Sequence, residues 1–172
     1  MINILKNRII KGVVTSHIDQ GLSQEIESIG SELKSLISKN FGKSLHIREV
    51  DTGSCEACES EIISTNNPIY DLQRFGINFV ASPRHADALM VTGPVSKNML
   101  VALKKTYEAM PEPKFVITVG DCALNGGLFK DSYYIASAVK DILPVVLHIS
   151  GCPPSPLAII KALLSFLKED RN

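Results

Sequence analysis

The sequence predicts an α/β fold, a doubly wound and mostly parallel sheet with helices on both faces. Three observations carry that expectation. Short apolar runs alternate with longer segments from Leu45 to the C-terminus, the pattern of successive strand–helix units. The run Ala88–Gly93 is nearly all apolar, as a strand is when both faces of its sheet are covered. The four cysteines fall in three segments, each just after one of these runs. If the runs are parallel neighbours, all four sulfurs reach one edge of the sheet, beyond the carboxyl ends of its strands, where ligands sit in such folds.

Taken in order, residues 1–16 mix apolar and basic side chains without a clean period. They read as an arm, either packed on a partner or loosely ordered. From Leu22 the positions Ile26, Ile29, Leu33, Leu36, Ile37 and Phe41 continue at three- and four-residue spacing, with Glu25, Glu27, Glu32, Lys34 and Lys39 between them. This is an amphipathic helix ended by Gly42. Its charges are mixed rather than basic, so it is expected to pack on the core and not on a membrane surface. Leu45–Val50 alternates and reads as the first strand. Glu59–Ser64 follows as a short helix, stopping near Asn66-Asn67-Pro68.

Asn78–Ala81 and Ala88–Gly93 are the second and third strands. Pro94-Val95-Ser96 is expected to open a helix running to about Met110. Pro111 and Pro113 punctuate before a fourth strand at Lys114–Val119. The glycine-bearing loop Asn125-Gly126-Gly127 leads to a helix expected around Ser132–Lys140, and Val145–Ile149 is the fifth strand. Ser155-Pro156 supplies an N-cap and first-turn pair for a closing helix, with Leu157, Ile160, Leu164 and Leu167 on one face. The expected organisation is an arm and helix over 1–44 and a flavodoxin-like α/β unit over 45–172, together a single domain.

Composition narrows the classes of function. The chain has 172 residues, 45% hydrophobic and 21% charged, with a formal net charge of zero. That balance is ordinary for a soluble domain and offers no polycationic surface for nucleic acid or an anionic membrane. No apolar run approaches the roughly 18 residues that span a bilayer. Met1–Arg8 has neither a twin-arginine pair nor a signal-peptide pattern, so a cytoplasmic location is expected. Disulfides are uncommon there, which moves the cysteines toward metal binding or redox chemistry.

Three readings of the cysteines compete. Cys55 and Cys58 form a C-x-x-C, while Cys122 and Cys152 stand alone in Gly120-Asp121-Cys122 and Gly151-Cys152-Pro153-Pro154. Four thiolates at one point suit an iron–sulfur cluster. Structural zinc is a second reading, though zinc usually takes its ligands as two close pairs on compact knuckles. The third is a thioredoxin-like dithiol, since Cys55-Glu56-Ala57-Cys58 lies between a strand and a helix; it leaves the other two cysteines idle.

At these residues the chain resembles the cluster-bearing small subunit shared by energy-converting nickel–iron hydrogenases and respiratory complex I. The matching pieces are Cys55-Glu56-Ala57-Cys58-Glu59-Ser60-Glu61, Ser82-Pro83-Arg84-His85-Ala86-Asp87, Thr92-Gly93-Pro94-Val95, Gly120-Asp121-Cys122, Asn125-Gly126-Gly127 and Gly151-Cys152-Pro153-Pro154-Ser155-Pro156. They run in the family's order from about Leu45 to the C-terminus. The C-x-x-C is similar to the hydrogenase side, including formate hydrogenlyase small subunits; complex I subunits typically carry adjacent cysteines. Ala57 departs from the glycine frequent in those relatives, which matters only if the backbone there needs positive φ.

The resemblance implies that Cys55, Cys58, Cys122 and Cys152 ligate one [4Fe-4S] cluster at the interface with a large subunit, with no ligands for further clusters. It implies an electron-transfer subunit, inactive alone, in a hydrogenase-like or NADH:quinone oxidoreductase-like complex. Its partners would be a hydrogenase-type or 49 kDa-type large subunit, a ferredoxin-like subunit and, through the complex, membrane subunits. It would then lie in the cytoplasm, peripheral to the membrane. Glu61 matches an acidic family position at the subunit interface, or is simply a carboxylate favoured in a first helical turn. Arg84 and His85 fall on a matched motif and either contact the partner, anchor their loop or couple a histidine proton to cluster reduction. His46 and His148 read as histidines of strands, and His17 has no context.

Overall fold

The computed structural model describes residues 2–12 and 20–169. Its strands, in chain order, are β1 (Leu45–Asp51), β2 (Ile77–Phe79), β3 (Ala88–Thr92), β4 (Val95–Ser96), β5 (Phe115–Val119), β6 (Ile135–Ser137) and β7 (Val145–Ile149). Its α-helices are α1 (Ile2–Lys11), α2 (Gln20–Phe41), α3 (Ala57–Ser64), α4 (Leu100–Glu108), α5 (Asp121–Asn125) and α6 (Pro156–Glu169). Five strands form one parallel sheet in the order β2-β1-β3-β5-β7. This is the flavodoxin order, with its switch point between β1 and β3.

Two-residue alternation divides the core. Along β3, Ala88 and Met90 join a cluster with Leu33, Ile37, Ile160 and Leu163 on the face covered by α2 and α6. Leu89 and Val91 join the opposite cluster with Leu103 of α4 and Ala123 of α5. Both faces are therefore buried, which is why β3 is apolar throughout. Helix α2 carries a glycine in its middle because the buried Phe75 ring lies against it: a β-carbon on Gly30 would collide with three atoms of that ring. Two ion pairs, Lys161–Glu25 at 2.6 Å and Lys168–Glu32 at 2.9 Å, link α6 to α2 on the surface. Ser155 Oγ accepts from Ala158 N–H at 3.3 Å, capping α6 as its sequence anticipates.

The structure corrects the expected elements in four places. No helix starts at Pro94: Val95–Ser96 is extended and pairs antiparallel with Ile135–Ser137. Ser96 N–H donates to Thr52 O at 2.8 Å, which holds that segment across the end of β1 and delays α4 to Leu100. The helix expected at Ser132–Lys140 is instead β6 and a 3-10 turn at Val139–Asp141, because Ala138 and Val139 turn into the core. A short helix, α5, replaces part of the expected glycine loop; it ends at Gly126 with φ 85°. Residues 2–11, which show no clean period, form α1. His17 lies outside the described residues.

Candidate metal centre

Each cysteine segment leaves its strand through a tight turn that local side chains enforce. After β1, Asp51 Oδ1 accepts from Gly53 N–H at 2.7 Å and Ser54 N–H at 2.8 Å. Ser54 Oγ then accepts from Glu56 N–H at 3.0 Å. The buried Thr52 hydroxyl contacts the carbonyls of Thr92 and Gly93 at 2.8 and 3.0 Å, locking this turn to the end of β3. The positive backbone angle of the C-x-x-C falls on Glu56 (φ 67°) and not on Ala57. The alanine at 57 is therefore tolerated; the strained residue is its neighbour.

The other two segments are stitched together. Gly120 N–H donates to Ile149 O at 2.8 Å and Asp121 N–H to Gly151 O at 3.0 Å. Asp121 Oδ1 in return accepts from Gly151 N–H at 3.1 Å. This carboxylate thus braces the Cys122 turn against the Cys152 turn, and His148 Nε2 lies 3.7 Å from the same oxygen. The Cys152–Pro153 peptide is cis.

All four cysteines line a single cavity with Gly93, Gly120, Gly151 and Phe129. Cys58 and Cys122 are half-buried, Cys55 and Cys152 exposed, and all four are free thiols. The thiols sense one another. Burial first, then the Glu59 carboxylate and the other three cysteines, pushes Cys58 up to about 12. Cys122 is raised by burial and by Cys152, with an opposing hydrogen bond from the Leu128 backbone. Among the described residues no trio of His, Cys, Asp or Glu side chains is set to clasp a single metal ion. The donor set fits a soft, multi-centred metal group: four sulfurs around one space, whose thiolates repel one another until protons or bound cations neutralise them.

Arg84 and His85 are not brought to this cavity. They occupy a 3-10 turn capped by Ser82, ahead of β3. The His85 carbonyl lies 3.2 Å from His46 Nδ1 near the start of β1, about 16 Å of strand rise from Asp51. The geometry therefore does not support coupling of a His85 proton to a cluster in this cavity. Glu61 is half-buried in α3 and does not line the cavity either.

A neighbouring cavity went unanticipated. Arg48, Glu49, Glu59, Ile62, Ile63 and Phe79 help line it, between β1, β2 and α3. Both Glu59 carboxylate oxygens and Arg48 Nε are buried without a partner. Burial and then Glu59 hold the Glu49 carboxyl above its ordinary range, against a 3.3 Å hydrogen bond from Thr92 Oγ1. Two charged residues side by side in a central strand were the available signal.

Comparison with known proteins identifies the family. Residues 55–166, from the first cysteine into α6, match the family described as the NADH ubiquinone oxidoreductase 20 Kd subunit, and the chain belongs to that family. A probable membrane-bound hydrogenase subunit of Pyrococcus furiosus is 41% identical over 133 residues, covering 77% of this chain and 80% of the relative. A subunit of the NADH-quinone oxidoreductase of Citrifermentans bemidjiense is 42% identical over 155 residues, covering 90% of this chain and 88% of the relative. Among solved structures, a chain of the archaeal membrane-bound sulfane sulfur reductase, a respiratory membrane complex, superposes with a TM-score of 0.65. It is 34% identical, and the match covers 79% of this chain and 77% of that one.

Proposed function

We propose that Cys55, Cys58, Cys122 and Cys152 hold one [4Fe-4S] cluster, and that the chain is the electron-relay subunit of a membrane-attached oxidoreductase complex. The observation that carries this reading is the shared cavity of the four thiols. When bound, such a cluster takes up and releases one electron at a time, at a potential set by burial, charge and hydrogen bonds to sulfur. The protein supplies the rest. The Leu128 amide hydrogen-bonds to Cys122 sulfur and favours its thiolate. The Glu59 carboxylate beside Cys58 adds negative charge, which disfavours an electron-rich state. Gly120 and Gly127 leave room for the sulfurs of Cys58 and Cys122.

Cys55 and Cys152 are exposed, with the exposed Leu128 and the part-exposed Phe129 nearby. A large subunit of hydrogenase or 49 kDa type would cover that face and close the cavity from water, and Glu61 would lie along the same interface. A ferredoxin-like subunit would hand over electrons, and membrane subunits would join through the complex. The C-x-x-C favours the hydrogenase side. The high coverage of the NADH-quinone oxidoreductase relative favours a second reading, in which the electrons pass to quinone without nickel chemistry. Nickel analysis of the complex purified from its host separates the two.

The reading is tested by Cys152→Ser. Reduced anaerobically, the native chain should give the paramagnetic signal of a reduced cluster, and the variant should lose or alter it while its far-ultraviolet circular dichroism is unchanged. An identical signal and iron content in the variant would refute the assignment. The isolated chain should take up no hydrogen, because its four cysteines are all committed to the cluster.

A further inference from the structure

We propose, resting on the cluster reading above, that His148 is a positioning residue for the metal centre. Through Asp121 it steadies the two turns that carry Cys122 and Cys152, and its Nε2–H offsets the carboxylate charge felt at Cys122.

Strand β7 is at the edge of the sheet, where a histidine could turn to water, yet the His148 side chain is only 22% exposed. His148 pairs in register with Thr118 of β5. Ile117, Val119 and Ile149 all face the core cluster under α2 and α6. Two-residue alternation therefore puts Thr118 and His148 together on the opposite face, the one that α5 covers through Ala123. His46, the other strand histidine, is near the start of β1 with its Nδ1 3.2 Å from the His85 carbonyl. It lies at the far end of the strands from the cysteine turns.

The His148 ring is held at both nitrogens. On one side the buried Thr118 hydroxyl is 3.0 Å from Nδ1 and 3.5 Å from the Leu147 carbonyl. With the hydroxyl donating to Nδ1, the nearer of its two acceptors, the ring's own N–H sits at Nε2. On the other side Nε2 lies 3.7 Å from Asp121 Oδ1. That same oxygen accepts from Gly151 N–H at 3.1 Å, one residue before Cys152, and Asp121 itself directly precedes Cys122. A rigid strand pair thus fixes a ring, the ring faces a carboxylate, and the carboxylate ties two ligand turns together.

The charge of Asp121 also reaches the sulfurs. Burial and Cys152 raise the Cys122 thiol most, and the Asp121 carboxylate pushes it the same way. A negative charge that opposes the Cys122 thiolate also opposes an electron added to a cluster bound through that sulfur. An N–H aimed at the carboxylate offsets part of that charge. The Asp121 side chain is half exposed, so water screens the effect and the expected shift is modest.

The test is a redox titration of the full chain, prepared anaerobically with its iron and followed by the paramagnetic signal of the reduced cluster. His148→Phe keeps a ring but has no N–H. It should disfavour reduction about twofold or more, a fall in midpoint potential of about 18 mV for a one-electron couple. His148→Gln, whose amide supplies an N–H in that region, should return toward the native value. Asp121→Asn should raise the potential, and adding His148→Phe to it should change nothing further, because the effect runs through the carboxylate. Circular dichroism, iron and sulfide are measured on each sample. A potential unmoved by His148→Phe, or one that falls equally in the Asp121→Asn background, would overturn the proposal. So would loss of iron in His148→Phe but not in Asp121→Asn, since the histidine would then act apart from the carboxylate. A native chain without iron would overturn the cluster reading and this proposal with it; iron present with the potential unmoved would overturn this proposal alone.

Discussion

A β-carbon built on Gly120 would lie 2.5 Å from Cys58 Sγ, and one on Gly127 2.6 Å from Cys122 Sγ. Both glycines also hold positive φ, 84° and 50°, where side chains are strained. Gly120→Ala should therefore displace a ligand sulfur and weaken retention of the metal about tenfold or more, the scale seen when support around a metal ligand is lost. Iron per chain after gel filtration checks this; full iron retention would show that the cavity does not house the metal. The cysteines and their neighbouring glycines were legible in the sequence because few residue types can do their work. Asp121 and Asp51 were not, because an aspartate that accepts backbone N–H groups looks in sequence like any other surface carboxylate. The role of Asp121 exists only once two turns from distant parts of the chain meet, and that of Asp51 only once its own turn has formed.

At the scale of elements, the five main strands were legible to within a residue or so at most ends, since apolar runs between turn residues have few other uses. The pair β4 and β6 was not. Val95–Ser96 and Ile135–Ser137 are too short to show a period, and their pairing with one another and with Thr52 O decides them against helix. Helix α2 was legible as an element, whereas the reason for its Gly30 was not until Phe75 was seen against it. Gly30→Ala removes about 1 kcal/mol of helix penalty but overpacks a buried ring, a cost of about 1–3 kcal/mol. A net loss of about 1 kcal/mol is expected in urea unfolding; a gain would mean that Phe75 does not pack there.

For the whole molecule, the four thiols make stability depend on pH and on metal together. Unfolded thiols ionise at about pH 8.5, whereas Cys58 is pushed up to about 12 in the fold and Cys122 is raised as well. Between those values the unfolded chain has released protons that the folded chain still holds. The contribution is thus complete below the unfolded pKa and is lost as pH rises through the folded one. The metal-free chain should lose stability steadily above about pH 9, and Cys58→Ser should flatten that loss in denaturant titrations. In the loaded protein the thiolates are already deprotonated by their ligation, so the same titration should be nearly flat. The central claim, that these four cysteines hold one cluster, is tested most directly by iron, labile sulfide and zinc analysis of the chain purified anaerobically. About four irons and about four sulfides per chain, without zinc, is the predicted result; zinc in their place, or no metal at all, would contradict it.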